Sequence, residues 1–500
     1  MSFVQNLPFF AIMLYLAGGV SCSVMKARAA RAVCLLLNIC VSVMMAFTLI
    51  FTLRSGSSYV YLMGHFPSPW GNELRIGPLE ALIGTVFPLV MTLTLLGGLT
   101  HLQEDVEAEK QNLYFAVANL LMVSMLALIF TNDIFTAYVF VEINTIASCA
   151  LVMINYKNGR ALVATTRYLI MSLLGSGLFL IGIVILYNIT GHLLMEPMGE
   201  KIRELARTGE YALPLTVTVG LFAVGMCLKS ALWPFHSWLP DAHASATVSS
   251  SGILSGLVIK SYMILLIKLF YRVFSLEGTF STNITGLLLL FGAGAMLFGS
   301  LYALRERDIK RMLAYSSVAQ VGYIFTGIGV CDNVGMSAAF IQILVHAVTK
   351  PMLFTAAGRF MSVSGGSRKY EDLRGAGRRD MLAGIAFAVG SLSMIGVPFF
   401  AGFATKLHLT LGLFSAGGWK MRAGITALIV STVLNALYYL SVIELLYSRR
   451  DNKTFENSGE SKRDLCSSIA LISFMLLNLL IGFFSENITG ILQAGLSVFS

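Results

Sequence analysis

Long apolar runs separated by short polar segments dominate the chain. Fourteen of these runs approach the roughly 20 residues that a membrane-spanning helix requires. The first run lacks a basic flank and a small-residue cleavage site, so we expect a retained helix instead of a signal peptide. The pattern predicts an all-α polytopic membrane protein with spans near 5–24, 31–53, 77–100, 112–131, 133–154, 164–188, 213–235, 247–271, 284–304, 309–330, 334–361, 382–414, 422–447 and 466–485.

Two of the runs are interrupted by proline or glycine. A Trp-Pro-Phe motif at 233–235 ends the seventh run, and Gly-Val-Pro at 396–398 lies within the twelfth. Broken helices at corresponding places indicate an internal repeat, here of five spans, and an odd repeat length inverts the second copy. We therefore expect four segments: 1–105 with spans 1–3, 106–275 as the first five-helix repeat, 276–448 as the inverted second repeat, and 449–500 with a loop and the last span.

Composition agrees with the membrane class. Hydrophobic residues make up 56% of the 500 residues, charged residues 12%, and the mean hydropathy is +0.77. The seven cysteines are scattered without a CxxC spacing, so the sequence predicts no disulfide framework, iron–sulfur cluster or zinc site. We expect no metal and no cofactor in this chain.

The net charge of +9 is spread over alternate loops. Loops after the odd-numbered runs carry 20 lysines and arginines, against 8 in the opposite loops. By the positive-inside rule, this asymmetry predicts that both termini lie outside. Because the charge has a topological explanation, we expect no nucleic acid partner.

Five ionisable side chains lie in the middle of apolar runs, namely Glu142, Lys229, Lys260, Lys350 and Lys406. A charge at the bilayer centre costs at least a few kcal/mol, so these groups need a paired or hydrated interior and are candidates for charge transport. Lys229 and Lys406 also lie near the two helix breaks, where freed backbone carbonyls can coordinate an ammonium group.

An ion pair between Glu142 and Lys229 would provide a way to release a proton. The anion favours the charged lysine whereas burial favours its neutral form, so separating the pair lowers the lysine's proton affinity. His346 and Lys350 are four residues apart and share a helix face, which allows proton exchange through water.

His236 and His243 are candidates for proton entry, because they lie near the inner end of the seventh run. A second interpretation stays open for this segment. Asp241 and His243 equally suit a capped turn at the membrane interface.

Five motifs resemble those of the proton-conducting membrane transporter family, which includes antiporter-like subunits of complex I, membrane-bound hydrogenases and Mrp-type sodium/proton antiporters. The resemblance covers roughly residues 75–445 and implies fourteen helices with two inverted five-helix repeats and broken helices 7 and 12. The motifs are KSALWPFHSWLPDAH at 229–243, SGILSGLVIK at 251–260, DIKRMLAYSSVAQVGY at 308–323, HAVTK at 346–350 and GVPFFAGFATK at 396–406.

The resemblance implies a role for individual residues. Glu142 and Lys229 correspond to the family's glutamate and partner lysine, Lys260 to its bridging lysine, and Lys406 to its terminal residue. Together they imply a hydrophilic axis along the membrane plane. Lysine at the twelfth-helix position, where one complex I branch has glutamate, makes the chain look closer to the Mrp D-type or hydrogenase-linked subunits.

We interpret the chain as a proton-translocating antiporter-like subunit of a complex in a bacterial or archaeal plasma membrane. The expected partners are other membrane subunits and the lipid bilayer. Sodium transport and the driving reaction stay open, and no catalytic chemistry is expected of the chain itself. Two alternatives also stay open: an autonomous transporter of a small solute, because broken helices also build substrate sites, and a non-conducting structural subunit.

Overall fold

The computed structural model describes residues 3–66, 71–155, 159–274, 279–449 and 464–498. The α-helices are α1 (Leu7–Val24), α2 (Ala27–Ser55), α3 (Pro78–Gly97), α4 (Leu99–Asp105), α5 (Gln111–Phe130), α6 (Ile134–Met153), α7 (Arg160–Thr190), α8 (Met195–Thr208), α9 (Ala212–Lys229), α10 (Trp238–Ser245), α11 (Val248–Ile253), α12 (Ile259–Leu269), α13 (Thr279–Arg305), α14 (Ile309–Val330), α15 (Asn333–Ser362), α16 (Tyr370–Leu373), α17 (Ala376–Arg379), α18 (Met381–Ile395), α19 (Ala401–Ala416), α20 (Gly418–Tyr447), α21 (Leu465–Phe483) and α22 (Ser485–Ser497). Short 3₁₀ turns are Phe3–Asn6, Met63–His65, Ala108–Lys110 and Phe235–Ser237, and π-helical turns are Leu254–Val258 and Phe270–Phe274. Strands β1 (Tyr59–Leu62) and β2 (Glu73–Ile76) form an antiparallel hairpin between α2 and α3.

Thirteen helical segments in these ranges are long and apolar enough to cross a membrane. The predicted twelfth span is not among them because it is divided into two shorter helices, α18 and α19. With this broken span included, the all-α polytopic prediction is confirmed. Lys157 and the loop residues 450–463, which entered the charge count and the last predicted segment, lie outside the described residues. The division into inverted repeats stays a prediction.

Aspartate side chains cap the start of several helices. Asp133 accepts a hydrogen bond from the backbone N–H of Thr136 at 2.6 Å at the start of α6. Such a cap satisfies one of the backbone donors that a helix N-terminus leaves unpaired. The same capping is made by Asp308 at α14, Asp332 at α15, Asp380 at α18 and Asp464 at α21.

Both predicted helix breaks are present. The first break begins several residues before Pro234, the proline from which it was predicted. Helix α9 ends at Lys229 and α10 begins only at Trp238, so Lys229 is the last helical residue before the break. In the twelfth span, α18 ends at Ile395 and α19 begins at Ala401. Between them Gly396 has a φ of +89°, a conformation that favours glycine.

The most buried spans lie at the centre of the bundle. The most apolar stretch of the eighth span (Val248–Phe274) and that of α15 are each 100% buried, and that of α14 is 94% buried. In outer helices such as α2 and α21, only 33% and 28% of the most apolar stretch is buried. A helix that is apolar on all sides and fully enclosed belongs to the protein core, whereas the outer helices present apolar side chains to lipid. Lys260 and Lys350 therefore lie on fully enclosed helices.

Two amphipathic helices were not predicted. Helix α8 occupies the polar stretch before the seventh span and buries Met195, Met198, Ile202 and Leu205. This spacing places the four side chains on one helix face, which packs on the bundle. Helix α22 packs on α3 near the C-terminus, where Gly495 approaches Leu79 closely.

A buried charge cluster at the end of the eighth span was also not predicted. Arg272 donates a hydrogen bond to Glu80 at 2.6 Å, and both side chains are nearly inaccessible to solvent. Lys268 donates to the carbonyls of Ile129 and Thr131, at 2.6 Å each, where α5 ends. A cation at a helix C-terminus satisfies unpaired carbonyls and interacts favourably with the helix dipole. The cluster thus ties α3, α5 and the eighth span together.

We expect Glu80→Ala to destabilise the protein by about 3–5 kcal/mol, because Arg272 would lose the carboxylate that compensates its buried charge. The measurement is the thermal unfolding midpoint of the purified protein. The control is Glu204→Ala, which removes the 2.8 Å ion pair with exposed Lys201 and should cost less than about 1 kcal/mol. Equal shifts for the two variants would contradict the expected role of burial.

Candidate functional site

Lys229 lies at the C-terminal end of α9 and is completely buried. Its Nζ donates to Thr145 Oγ1 at 2.8 Å and to Ser172 Oγ at 3.1 Å. It also lies 5.3 Å from the centre of the Tyr262 ring, within cation–π range. The predicted coordination by carbonyls freed at the break is therefore replaced by hydroxyl groups from α6 and α7.

Glu142 lies on α6, three residues before Thr145, and is partly buried. Its Oε1 atom is buried and has no hydrogen-bond partner among the residues that the structure describes. The carboxylate is near enough to interact electrostatically with Lys229, yet the described residues include no ion pair between the two within 4.0 Å. The two groups of the predicted pair are neighbours without direct contact.

Lys260 is fully buried at the centre of the eighth span. It follows the π-helical turn Leu254–Val258, and its Nζ donates to the carbonyl of Ser255 inside that turn. Turns of this kind disturb the regular ladder of helical hydrogen bonds and are frequent at functional sites. The local backbone thereby supplies the polar partner that the ammonium needs.

His346 and Lys350 lie one turn apart on α15, and both are fully buried. Lys350 Nζ donates to the Leu313 carbonyl at 2.9 Å and to Ser316 Oγ. Both ring nitrogens of His346 are buried without a protein partner. Since buried polar atoms are rarely left unpaired, the imidazole is suited to hydrogen bonding with water. The predicted shared helix face is present.

His243 lies in α10, on the far side of the first break from Lys229. Its ring is fully buried, stacks on Phe354 with centroids 5.2 Å apart, and has no protein partner for either nitrogen. His236 lies inside the break and stacks on Tyr302 at 5.5 Å. Of the two, His243 is the one that interacts electrostatically with the basic groups Lys260 and Lys350.

Lys406 in α19 reaches back to the break in its own span. Its Nζ donates to the Ile395 carbonyl, the last residue of α18, and to Thr432 Oγ1 at 2.8 Å. The expected contact between this lysine and a freed backbone carbonyl is therefore present. Gly396 makes the approach possible, because a Cβ there would lie 2.6 Å from Lys406 Cδ.

The lysines of the two broken helices have matching surroundings. Lys229 has a threonine hydroxyl at 2.8 Å and a tyrosine ring at 5.3 Å, and Lys406 has a threonine hydroxyl at 2.8 Å and a tyrosine ring at 5.6 Å. The helices that supply the threonine and the tyrosine differ between the two sites. The first site takes threonine from the fifth span and tyrosine from the eighth, whereas the second takes tyrosine from the tenth and threonine from the thirteenth.

Within the described residues, no carboxylate forms an ion pair within 4.0 Å with Lys229, Lys260, Lys350 or Lys406. Their ammonium groups are surrounded by hydroxyls, carbonyls and aromatic faces. Neutral partners compensate a buried charge less than an anion does. The proton affinity of each lysine is therefore sensitive to the charge of its neighbours.

A cavity of about 360 Å³ lies at the end of the bundle near α10. Asp241 accepts hydrogen bonds there from Arg167 and from Arg311, each at 2.8 Å. Through these ion pairs Asp241 links the short helix α10 to the spans α7 and α14. The cavity reaches Ala244, next to the buried His243, and its charged lining consists of Arg160, Arg167, Asp241, Asp308, Arg311 and Arg368.

The sequence did not identify two sets of buried polar residues. Lys268 lies in the same apolar run as Lys260 but near its end, so the criterion of a position in the middle of a run did not select it. Buried tyrosines of α14 and α20, described below, gave no signal because aromatic residues are common in membrane helices. Only the tertiary contacts reveal their hydroxyl groups as polar features of the interior.

Residues 131–435 match the family profile described as NADH:quinone oxidoreductase/Mrp antiporter, membrane region. The chain belongs to this family. It is an antiporter-like, multi-pass membrane protein, as the motif resemblance indicated, and the matched residues include all of the candidate lysines and histidines.

Individual relatives agree with this assignment. NADH-quinone oxidoreductase subunit N of Desulforudis audaxviator is 34% identical over 397 residues, covering 79% of this chain and 77% of the relative. The D-type Na(+)/H(+) antiporter subunit of Alkalihalophilus pseudofirmus is 26% identical over 353 residues, covering 70% and 69%. The solved structure of a membrane-bound sulfane sulfur reductase, an archaeal respiratory membrane complex, contains a chain with a TM-score of 0.88 and 25% identity, covering 99% and 98%.

We expect Gly396→Ala to lower the thermal unfolding midpoint. A left-handed backbone conformation costs about 1–2 kcal/mol for a residue with a Cβ, and the new methyl group would also displace Lys406 from the helix break. Gly177→Ala in α7 is the matched control, because a Cβ there meets nothing within 4 Å. A Gly396 variant as stable as this control would contradict the close approach described above.

Proposed function

We propose that this chain is a proton-translocating, antiporter-like subunit of a multisubunit ion-pumping membrane complex. The observation that carries the proposal is a set of lysines inside the bundle for which the described residues include no carboxylate partner within 4.0 Å. Lys229, Lys260 and Lys350 are fully buried, and Lys406 is partly buried. Ionisable groups inside a membrane protein commonly mark ion pathways or proton relays. Family membership adds the context of complexes that couple proton movement to a driving reaction.

The proposed path uses Glu142, Lys229, Lys260, His346, Lys350 and Lys406 as proton-transfer groups. Glu142 is held near Lys229 without a direct ion pair, so a small movement changes the electrostatic interaction between them. Moving the carboxylate away disfavours the charged lysine and releases its proton. Water molecules then pass the proton towards Lys260 and the later groups. Charge movement along the bundle takes the place of bond chemistry.

Proton entry is proposed at the cavity beside α10. The arginines around Asp241 hold this helix end in place, and His243 is a fully buried titratable group next to Ala244 of the cavity lining. His236 lies seven residues earlier, in the 3₁₀ turn inside the break, and is a second candidate. The ring nitrogens of His243 lack protein partners, which suits exchange with water entering from the cavity.

The relatives place this family in multisubunit assemblies. We propose that the partners are other integral membrane subunits of one complex in a bacterial or archaeal plasma membrane. Both relatives named above carry the word subunit in their names, and the solved match is part of a respiratory membrane complex. Protons are the proposed cargo, and a dependence of transport on sodium or on a redox substrate distinguishes an Mrp-type antiporter from a respiratory complex.

We expect Lys229→Ala to reduce proton transport to the level of vesicles that lack the complex. The measurement is proton uptake by inverted vesicles containing the intact complex, at matched amounts of assembled subunits. Lys201→Ala is the control, because Lys201 lies in the amphipathic helix α8 and is exposed. Unchanged transport in the assembled Lys229 variant would remove the lysine from the path and favour a structural subunit.

The charge asymmetry of the loops predicts that both termini lie outside. We expect alkaline phosphatase fused after Ser497 to be active, because this enzyme folds only in an oxidising compartment. A fusion in the basic loop after Gly366 should be inactive and serves as the control. The reverse pattern of activity would invert the proposed orientation.

A further inference from the structure

The region between Lys350 and Lys406 is crossed by polar side chains of α14 and α20. On α20 they follow the spacing i, i+4, i+7 and i+8, which places them on one helix face. On α14 they are seven residues apart, again on one face. All are nearly or fully buried; they are Ser316 and Tyr323 on α14, and Ser431, Asn435, Tyr438 and Tyr439 on α20.

At one end these side chains contact Lys350 directly. Lys350 Nζ donates to Ser316 Oγ and lies 3.5 Å from the Tyr439 hydroxyl. The Tyr439 hydroxyl itself lies 3.2 Å from Ser316 Oγ. The ammonium and the two hydroxyl groups therefore form a compact triangle.

From this triangle the polar contacts continue along α20. The rings of Tyr438 and Tyr439 are 4.5 Å apart. The Tyr438 hydroxyl donates to Asn435 Oδ1 at 2.9 Å, and Asn435 Nδ2 donates to the Tyr323 hydroxyl at 3.4 Å. Asn435 thus joins two tyrosines that belong to different helices.

The other end of the series lies beside Lys406. The Tyr323 hydroxyl donates to Ser431 Oγ at 3.1 Å. The Tyr323 ring lies 5.6 Å from Lys406 Nζ, and Thr432, which follows Ser431, accepts a hydrogen bond from the same Nζ. Side chains of the protein therefore connect the surroundings of Lys350 and Lys406.

Hydroxyl groups and the amide of Asn435 differ in how they handle protons. A phenol or serine hydroxyl donates and accepts, so it can take one proton and pass on another. The amide accepts only at oxygen and donates only at nitrogen. Asn435 therefore orients its neighbours without passing the proton itself, and transfer past it needs a water molecule between Tyr438 and Tyr323.

We propose that Tyr439, Tyr438 and Tyr323 carry protons between Lys350 and Lys406, with Asn435 as the positioning residue that aligns them. The proposal rests on the proposed function of the two lysines. The Lys350 ammonium gives a proton to the Tyr439 oxygen while Tyr439 passes on its own hydroxyl proton. The same exchange at Tyr438, then through a water molecule past Asn435, and then at Tyr323 delivers one proton to neutral Lys406, so each phenol ends unchanged.

The first test replaces each tyrosine by phenylalanine, which keeps the ring and removes the hydroxyl. We expect Tyr439→Phe, Tyr438→Phe and Tyr323→Phe to lose most of the proton uptake in vesicles with the intact complex at matched assembly. Tyr15→Phe is the matched control. Tyr15 is also fully buried, and its hydroxyl donates to Asn38 at 2.7 Å. Tyr15 lies in α1 and Asn38 in α2, at the edge of the bundle.

The outcomes separate the relay from the proposed function. If the three phenylalanine variants transport at the wild-type rate while Lys406→Ala has lost transport, the relay is wrong and the function stands. If Lys406→Ala also transports normally, the proposed function itself fails.

A second test separates proton transfer from a structural hydrogen bond. Incorporation of difluorotyrosine at position 439 makes the phenol more acidic and keeps its hydroxyl and its ring packing. A proton-carrying phenol should shift the pH dependence of transport, whereas a structural hydrogen bond leaves that profile unchanged. An unchanged profile in a complex that Tyr439→Phe inactivates would assign the Tyr439 hydroxyl a structural hydrogen-bonding role and overturn the relay.

Discussion

Charged side chains enclosed by apolar helices need polar partners from the protein, and this requirement connects most features of the structure. A lysine in the bilayer core is costly unless hydroxyls, carbonyls or water replace its lost hydration. The chain meets the requirement by local changes to helices. It ends α9 at Lys229, inserts a π-helical turn before Lys260, and exposes the Ile395 carbonyl to Lys406.

The buried charges of the protein have two kinds of partner, anionic and neutral. Arg272 is neutralised by Glu80 at 2.6 Å in a contact that joins two spans. Such a pair holds its charge state firmly, because losing one partner leaves the other uncompensated. The lysines of the axis instead have neutral partners, which allows their protonation to respond to neighbouring charges. This contrast separates the buried charges that have an anionic partner from those that have neutral partners.

The two broken spans show how similar surroundings can arise from different helices. A threonine hydroxyl and a tyrosine face accompany both Lys229 and Lys406, yet the contributing spans are exchanged. The hydroxyl groups of α14 and α20 then extend the polar region from Lys350 to Lys406. Side chains of the protein itself therefore supply much of the polar contact between the surroundings of these two lysines.

The amino-acid sequence was enough to predict the membrane class, the number of spans, the two broken helices and the family, because each rests on local pattern or on motifs such as GVPFFAGFATK at 396–406. It also selected the main buried charges, since a lysine in a long apolar run is conspicuous wherever the helix packs. Helix packing, in contrast, determines that Lys229 contacts Thr145 and Ser172 instead of Glu142. Helix packing likewise brings Tyr323 of α14 close to Tyr438 and Tyr439 of α20. Contacts between residues more than a hundred positions apart depend on how helices pack, which local periodicity does not encode.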